Sequence, residues 1–148
     1  MKKKIDLSLI VLLLILLGAC SSANPGAASD NQVVDAAHTT ENSIDWAGVY
    51  TGVIPAADGP GINVQLELGY DQTYTITYHY IDGEDSDFTV SGTFTWDPEG
   101  NIITLADLEE TPPYYQVGEN TITQLDMEGN PITGILAENY VLKKVFSE

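Results

Sequence analysis

Phe88-Thr89-Val90-Ser91-Gly92-Thr93-Phe94-Thr95-Trp96 alternates without a break. Phe, Val, Gly, Phe and Trp fall on one side, Thr and Ser on the other. Successive side chains of an extended strand point to opposite faces, so this stretch reads as a strand with one buried face. The same period recurs at Ile62, Val64, Leu66 and Leu68, and again at Tyr74, Ile76, Tyr78 and Tyr80. Shorter candidates lie at Val49 to Ile54, Ile102 to Leu105, Tyr114 to Val117, Thr121 to Leu125 and Tyr140 to Val145. Turn formers separate them, among them Asp82-Gly83, Asp97-Pro98-Glu99-Gly100-Asn101, Pro112-Pro113 and Glu128-Gly129-Asn130-Pro131. Eight or so short strands at this spacing predict an all-β domain, a sandwich or a small antiparallel up-and-down barrel, over residues 44–148. No segment sustains a helical period.

The N-terminus carries a different signal. Lys2, Lys3 and Lys4 precede an apolar run from Leu7 to Leu17, which Gly18-Ala19-Cys20 ends. The run is about 11 residues, short of the ~20 that span a bilayer as a helix. A basic stretch, an apolar stretch, two small residues and then the chain's one cysteine form a bacterial lipoprotein signal. Residues 1–19 are expected to be the signal peptide and Cys20 the lipidated N-terminus, with the membrane as partner through the anchor. Ser21 stands where an Asp would favour inner-membrane retention, so an outer-membrane location facing the periplasm is expected. Residues 20–43 read as lipidated cysteine and tether. They hold Ser21-Ser22-Ala23-Asn24-Pro25-Gly26 and few large apolar side chains, too little to offset the entropy of ordering.

Charge excludes one class of partner. The chain's formal charge is −17. Residues 1–19 contribute +2 through Lys2, Lys3, Lys4 and Asp6, which leaves −19 on the remainder, where Lys143 and Lys144 are the only cations. Such a surface repels phosphates, so no nucleic-acid partner is expected. With Cys20 acylated no disulfide forms within one chain, and the domain must be held by its core alone.

Candidate sites are few. Asp82 to Asp87 is an acidic hairpin tip without the ligand order of a calcium loop. His79 sits on the threonine-bearing face, and a single strand histidine more often faces solvent than binds metal. The aromatic row Tyr74, Tyr78, Tyr80, Phe94 and Trp96 offers ligand-lining candidates, although small eight-stranded barrels are commonly filled by their own side chains. No hydrolase elbow, phosphate loop, zincin or dinucleotide motif is present, so the chain is not read as an enzyme and no cofactor is expected.

Asp45-Trp46-Ala47-Gly48-Val49-Tyr50-Thr51-Gly52, followed by Ile54-Pro55-Ala56-Ala57-Asp58-Gly59-Pro60-Gly61-Ile62, resembles the N-terminal domain of the NlpE lipoprotein family. The resemblance continues through Leu66-x-Leu68, Thr73-Tyr74, Gly92-x-Phe94-x-Trp96, Ile103-x-Leu105, Leu125-Asp126-x-x-Gly129-x-x-Ile132 and Tyr140-x-Leu142-x-Lys144. It implies a lipocalin-like antiparallel barrel at the outer membrane, in a family linked to copper tolerance and envelope stress signalling. It also implies a Pro-Cys-Ala-Asp-Cys motif after the first strand. Here Ala56 and Gly59 stand at those cysteine positions, so a thiolate copper site and dithiol redox sensing are not expected. Pro55, Asp58, Pro60 and Gly61 are turn formers that can preserve the turn itself. The second domain of some members is expected to be absent, since the sequence ends at Glu148.

Three functions fit these observations. One is an envelope stress sensing or interaction lipoprotein with an envelope protein partner. Another is a periplasmic binder of a small apolar ligand inside the barrel. The third is metal handling by carboxylates or His79.

Overall fold

The computed structural model describes residues 38–83 and 87–146; Cys20 and most of the expected tether lie outside them. Eight antiparallel strands follow one another around a closed barrel in sequence order. They are β1 (Gly48–Ile54), β2 (Ile62–Leu68), β3 (Thr73–Tyr80), β4 (Asp87–Trp96), β5 (Ile102–Leu105), β6 (Tyr114–Gly118), β7 (Thr121–Gln124) and β8 (Val141–Lys144). A short helix, α1 (Thr40–Ser43), precedes β1, and a 3-10 turn over Ala137–Tyr140 leads into β8. Of the two architectures that the alternation allowed, the up-and-down barrel that the family resemblance implied is the observed fold.

Two-residue periodicity sets the layers. Val64, Leu66 and Leu68 of β2 and Tyr74, Ile76 and Tyr78 of β3 point inward and are buried, while Asn63, Gln65 and Glu67 face out. Outward hydroxyls pair across the β3–β4 ladder, Thr75 with Ser91 and Thr77 with Thr89, each at 3.0 Å. Inside, Tyr50, Leu66, Ile76, Phe94, Ile103 and Tyr115 are among the side chains wholly removed from solvent. The buried tyrosines also satisfy their hydroxyls, as burial of a polar group requires. Tyr50 donates to the Trp46 carbonyl at 2.6 Å, Tyr74 donates to the Ala106 carbonyl, and the Tyr115 oxygen accepts from Gln124 Nε2 at 3.3 Å.

One end of the barrel is plugged. Trp46, 6% exposed, meets Phe94, Trp96 and Tyr70 edge-on at ring-centroid distances of 5.7, 5.4 and 5.3 Å. Its indole N–H donates to the Glu41 carbonyl at 3.0 Å. Glu41 N–H in turn donates to the Gly100 carbonyl (3.1 Å), and Thr40 Oγ1 donates to Asn101 Oδ1 (2.7 Å). Thr39–Ser43, read from composition as the end of the tether, is thus docked on the β4–β5 turn. Composition overlooked it because hydrogen bonds hold it, with little apolar burial. At the opposite end lie the β1–β2 turn, the β3–β4 hairpin tip and the β5–β6 loop, where Ile54 pairs with Ile62 and Ile62 with Tyr80.

The first and last strands close the sheet over a short register, Tyr50 with Lys144 and Thr51 with Lys143. Gly52 permits the close approach: a Cβ there would stand 2.7 Å from Leu142 Cδ2. Lys144, whose side chain is 7% exposed, donates to the Asp45 carbonyl (2.6 Å) and lies 3.1 Å from its carboxylate. Tyr70 also donates to that carboxylate, and these two groups, Tyr70 first, hold the Asp45 carboxyl below its usual range.

Two alternating residues break the pattern: Tyr80, at the end of β3, is 43% exposed, and Phe88 is the other. Phe88 shares the inward face of β4 yet is 53% exposed. β5 begins opposite Trp96 and ends opposite Phe94, so the first half of β4 has a ladder neighbour only on the β3 side.

Two outcomes are expected. A fragment of residues 44–148 loses the α1 contacts and is less stable than one of residues 38–148 by about 1–2 kcal/mol, read as a lower urea midpoint at unchanged slope. Alkali is the second lever. Burial, with lesser help from nearby Asp45 and Tyr70, pushes the Tyr50 hydroxyl up to about 12. An unfolded tyrosine ionises near 10, so between those values the unfolded chain releases a proton that the native state keeps. Stability is fully present below pH ~10 and declines as pH rises through the folded value. The decline is shallower in Tyr50→Phe, measured by urea melts across that range, and an identical slope in that variant refutes the assignment.

Candidate functional site

The residues that sequence reasoning placed in a ligand pocket are divided by the fold. Tyr74, Tyr78 and Phe94 are buried in the barrel core, Trp96 is half-buried beside the Trp46 plug, and Tyr80 is 43% exposed at the open end. The aromatic row therefore fills the barrel along most of its length and reaches solvent at its two ends, partly at Trp96 and more fully at Tyr80. Trp96 Nε1 is buried without a protein partner among the described residues.

The turn at the family's cysteine positions has a glycine geometry. Gly59 has φ +115 and Gly61 φ +143, both in the region that side-chain-bearing residues rarely adopt. Ala56 is half-buried and Gly59 exposed. The Gly61 carbonyl accepts from Ile81 N–H at 3.0 Å, so the turn is bonded to the end of the β3–β4 hairpin. A cysteine at position 59 would carry backbone strain of about 1–3 kcal/mol before it bound anything.

His79 faces outward at the end of β3, and its Nδ1 hydrogen-bonds Asp87 Oδ1 at 2.5 Å across the ladder. It borders a shallow depression of about 450 Å³ on the outer sheet face with Thr51, Asn63, Gln65 and Thr77. One imidazole and one carboxylate there make a cross-strand pair and supply too few ligands for a metal. Among the described residues no three or more His, Cys, Asp or Glu side chains come together as a metal would need.

A second concavity is one that the sequence did not predict. Where β4 lacks a neighbour, the chain after Leu105 leaves the sheet. It returns at Pro113, whose carbonyl accepts from Leu105 N–H at 3.0 Å. A cleft of about 490 Å³ remains between this loop and β4. One wall is apolar: Tyr78 and Phe88 stack at 6.3 Å, with Tyr80 and Val90 beside them. The other wall brings Leu108 together with Asp107, Glu109 and Glu110. Tyr78 Oη donates across the cleft floor to Thr111 Oγ1 at 3.4 Å. Of the lining, only Tyr78 and Tyr80 were among the aromatic candidates read from the sequence; the rest had no local signal, because the cleft follows from where β5 stops, which is a property of the whole sheet.

Known proteins carry the same architecture. A family model described as the NlpE N-terminal domain matches residues 50–135. Lipoprotein NlpE of Escherichia coli K12 is 30% identical over 94 residues, which cover 64% of this chain and 39% of that protein. The chain thus corresponds to about two fifths of the length of that relative. The crystal structure of a Shewanella oneidensis protein assigned as a lipoprotein superposes with a TM-score of 0.65 at 46% identity, covering 72% of this chain and 94% of the other. The crystal structure of the Cpx pathway activator NlpE from Escherichia coli gives a TM-score of 0.51 at 30% identity, covering 70% of this chain and 53% of the other. With more than half of its length matched to the family and the expected barrel in place, this chain belongs to the NlpE N-terminal domain family.

Proposed function

We propose that this protein is a lipid-anchored envelope lipoprotein that acts by protein–protein contact, as a stress-sensing or interaction module, and not by turnover. The observation that carries the reading is the filled barrel. Tyr50, Leu66, Ile76, Phe94, Tyr115 and Ile122 occupy the interior with no exposed surface to speak of. An interior packed in this way favours recognition on the outside over an apolar ligand within. Family membership supports the signalling half of the proposal, since one relative bears the description of a Cpx pathway activator. The sequence of residues 1–20 supports the anchor: residues 1–19 are the signal peptide, Cys20 the acylated N-terminus, and the outer membrane facing the periplasm is the proposed location. The folded domain includes Thr39–Ser43, because α1 is bonded to the β4–β5 turn.

The test separates anchor from signal. Metabolic labelling with a fatty-acid probe marks the natural chain, and Cys20→Ser abolishes the label and leaves an uncleaved precursor. Overproduction, or retention at the inner membrane through Ser21→Asp, raises an envelope-stress reporter. A reporter that neither change moves, in cells where the label is intact, defeats the signalling half and spares the anchor.

Thiolate copper chemistry is not part of this reading, because alanine and glycine stand at positions 56 and 59. Calorimetric titration with Cu(I) is expected to show no tight site on the Ala56 to Gly59 turn. Ala56→Cys combined with Gly59→Cys creates one only at the cost of the Gly59 geometry. The metal-free double variant therefore melts below the natural protein, and Cu(I) raises its midpoint. Stoichiometric tight Cu(I) binding by the natural chain contradicts this.

A further inference from the structure

We propose that the open flank of β4 is a strand-addition site for an extended peptide segment that alternates apolar and basic side chains. The inference rests on the contact reading above and names where the contact is made.

The backbone supplies the first argument. β4 is ten residues long and pairs with β3 from Thr93 to Asp87. On its other side it pairs with β5 only at Phe94, Thr95 and Trp96, and the last bond is Ala106 N–H to the Thr93 carbonyl at 2.9 Å. Main-chain groups of successive residues in an antiparallel strand point to alternate sides. Phe94 N–H points toward β3, where it donates to the Gln72 carbonyl, and the Thr93 carbonyl points toward β5. By this alternation the amides and carbonyls of Thr89 and Ser91 point at the open flank. Among the described residues no ladder partner meets them there. An unpaired edge of this kind is a template for another strand. The stretch from Asp87 to Gly92 accepts an added strand of about six residues, roughly 20 Å long.

The side chains supply the second. A strand laid along this edge enters the 490 Å³ cleft. Alternate side chains then turn inward against Phe88, Val90 and Leu108, and covering Phe88 removes a half-exposed aromatic ring from water. The far wall carries Asp107, Glu109 and Glu110, whereas Lys143 and Lys144, the only cations among the described residues, lie on β8 near the plugged end. The carboxylates of the cleft thus have no lysine or arginine of their own domain at hand, and the occupant that complements them is basic. Carboxylates beside an edge also discourage pairing between copies of an acidic chain, so the same groups select a basic segment and reject a second copy of this protein.

The third argument is placement. The cleft is at the end opposite the Trp46 plug, and α1, through which the chain enters from the N-terminal side, docks at the plugged end. The cleft therefore opens at the end of the barrel away from the place where the described chain begins.

The experiment uses the full chain in detergent and two fluorescein-labelled peptides of equal length and charge. One alternates lysine and valine, and the other has proline in place of every valine. Fluorescence anisotropy is expected to show micromolar binding of the first and at least about tenfold weaker binding of the second, because proline donates no main-chain hydrogen bond. Hydrogen exchange is expected to slow at the Thr89 and Ser91 amides only with the first peptide. Glu109→Lys with Glu110→Lys, both on an exposed loop, weakens the first peptide by several fold. Thr89→Pro, which removes a donor on the open flank and no ladder bond, also weakens it. Equal affinity for the two peptides means diffuse attraction to an acidic surface and overturns the proposal, as does protection at amides other than those of β4. If dodecylamine displaces the lysine–valine peptide without protecting Thr89 or Ser91, the cleft is a site for cationic amphiphiles and the proposal is wrong. None of these readings depends on the stress reporter, so the site and the signalling role fail separately.

Discussion

Everything in this fold depends on closing a sheet of eight short strands. A closed barrel removes its edges only if the first and last strands meet, and here they do so through two residue pairs, Tyr50 with Lys144 and Thr51 with Lys143. So short a ladder needs support. Gly52 lets Leu142 approach β1, and Lys144 reaches the Asp45 carbonyl and carboxylate just before that strand. Asp45 precedes Trp46, the side chain that plugs the same end. A single lysine thereby ties the last strand to the plug, with its charge nearly buried between a carbonyl and a carboxylate. Removing it would leave the Asp45 carboxylate bound only to Tyr70 and would loosen the seam and the plug together.

Neighbouring strands are joined all the way round the barrel, but the β4–β5 ladder covers only the last part of β4, because β4 has ten residues and β5 four. The surplus of β4 continues past its partner and leaves Phe88 in solvent and the Thr89 and Ser91 amides facing a loop. Exposed aromatic area and unpaired amides both cost stability that a longer β5 would recover. The sequence between Leu105 and Tyr114 prevents that extension. Asp107 takes a positive φ of 62, and Pro112-Pro113 removes two amide donors in a row. The β5–β6 loop therefore holds the seam open, and the carboxylates it carries define what can approach.

Much of the fold was legible because it rests on local period. β2 and β3 were read residue by residue, and their inward and outward positions alternate as written in the sequence until Tyr80, which is exposed at the end of β3. Turn residues such as Asp97 to Asn101 marked where one strand ends and the next begins. What escaped was non-local. Phe88 obeys the alternation and is still exposed, since burial requires a neighbour that period cannot reveal. Thr39–Ser43 contains no large apolar side chain, so nothing in its composition announced that Thr40 and Glu41 would bond to Asn101 and Gly100, some sixty residues away. The candidate cleft was read only in part, for the same reason. Of the aromatics singled out, Tyr74 and Phe94 are core while Tyr78 and Tyr80 line the cleft, and Leu108, Glu109 and Glu110 sit in a loop that only the edge it faces brings to notice.

The loops and edges that surround the packed interior are not independent here. The Ile81 amide donates to the Gly61 carbonyl, which fastens the β1–β2 turn to the hairpin that ends in β4. The turn where the family resemblance places a cysteine pair is thus bonded to the element that carries the open edge. In this chain that turn is built on Gly59 and Gly61 at positive φ, a geometry that glycine meets without strain and cysteine does not. The turn is thus held by backbone conformation and by its bond to the hairpin. Whatever binds along β4 meets a hairpin already braced from the other side.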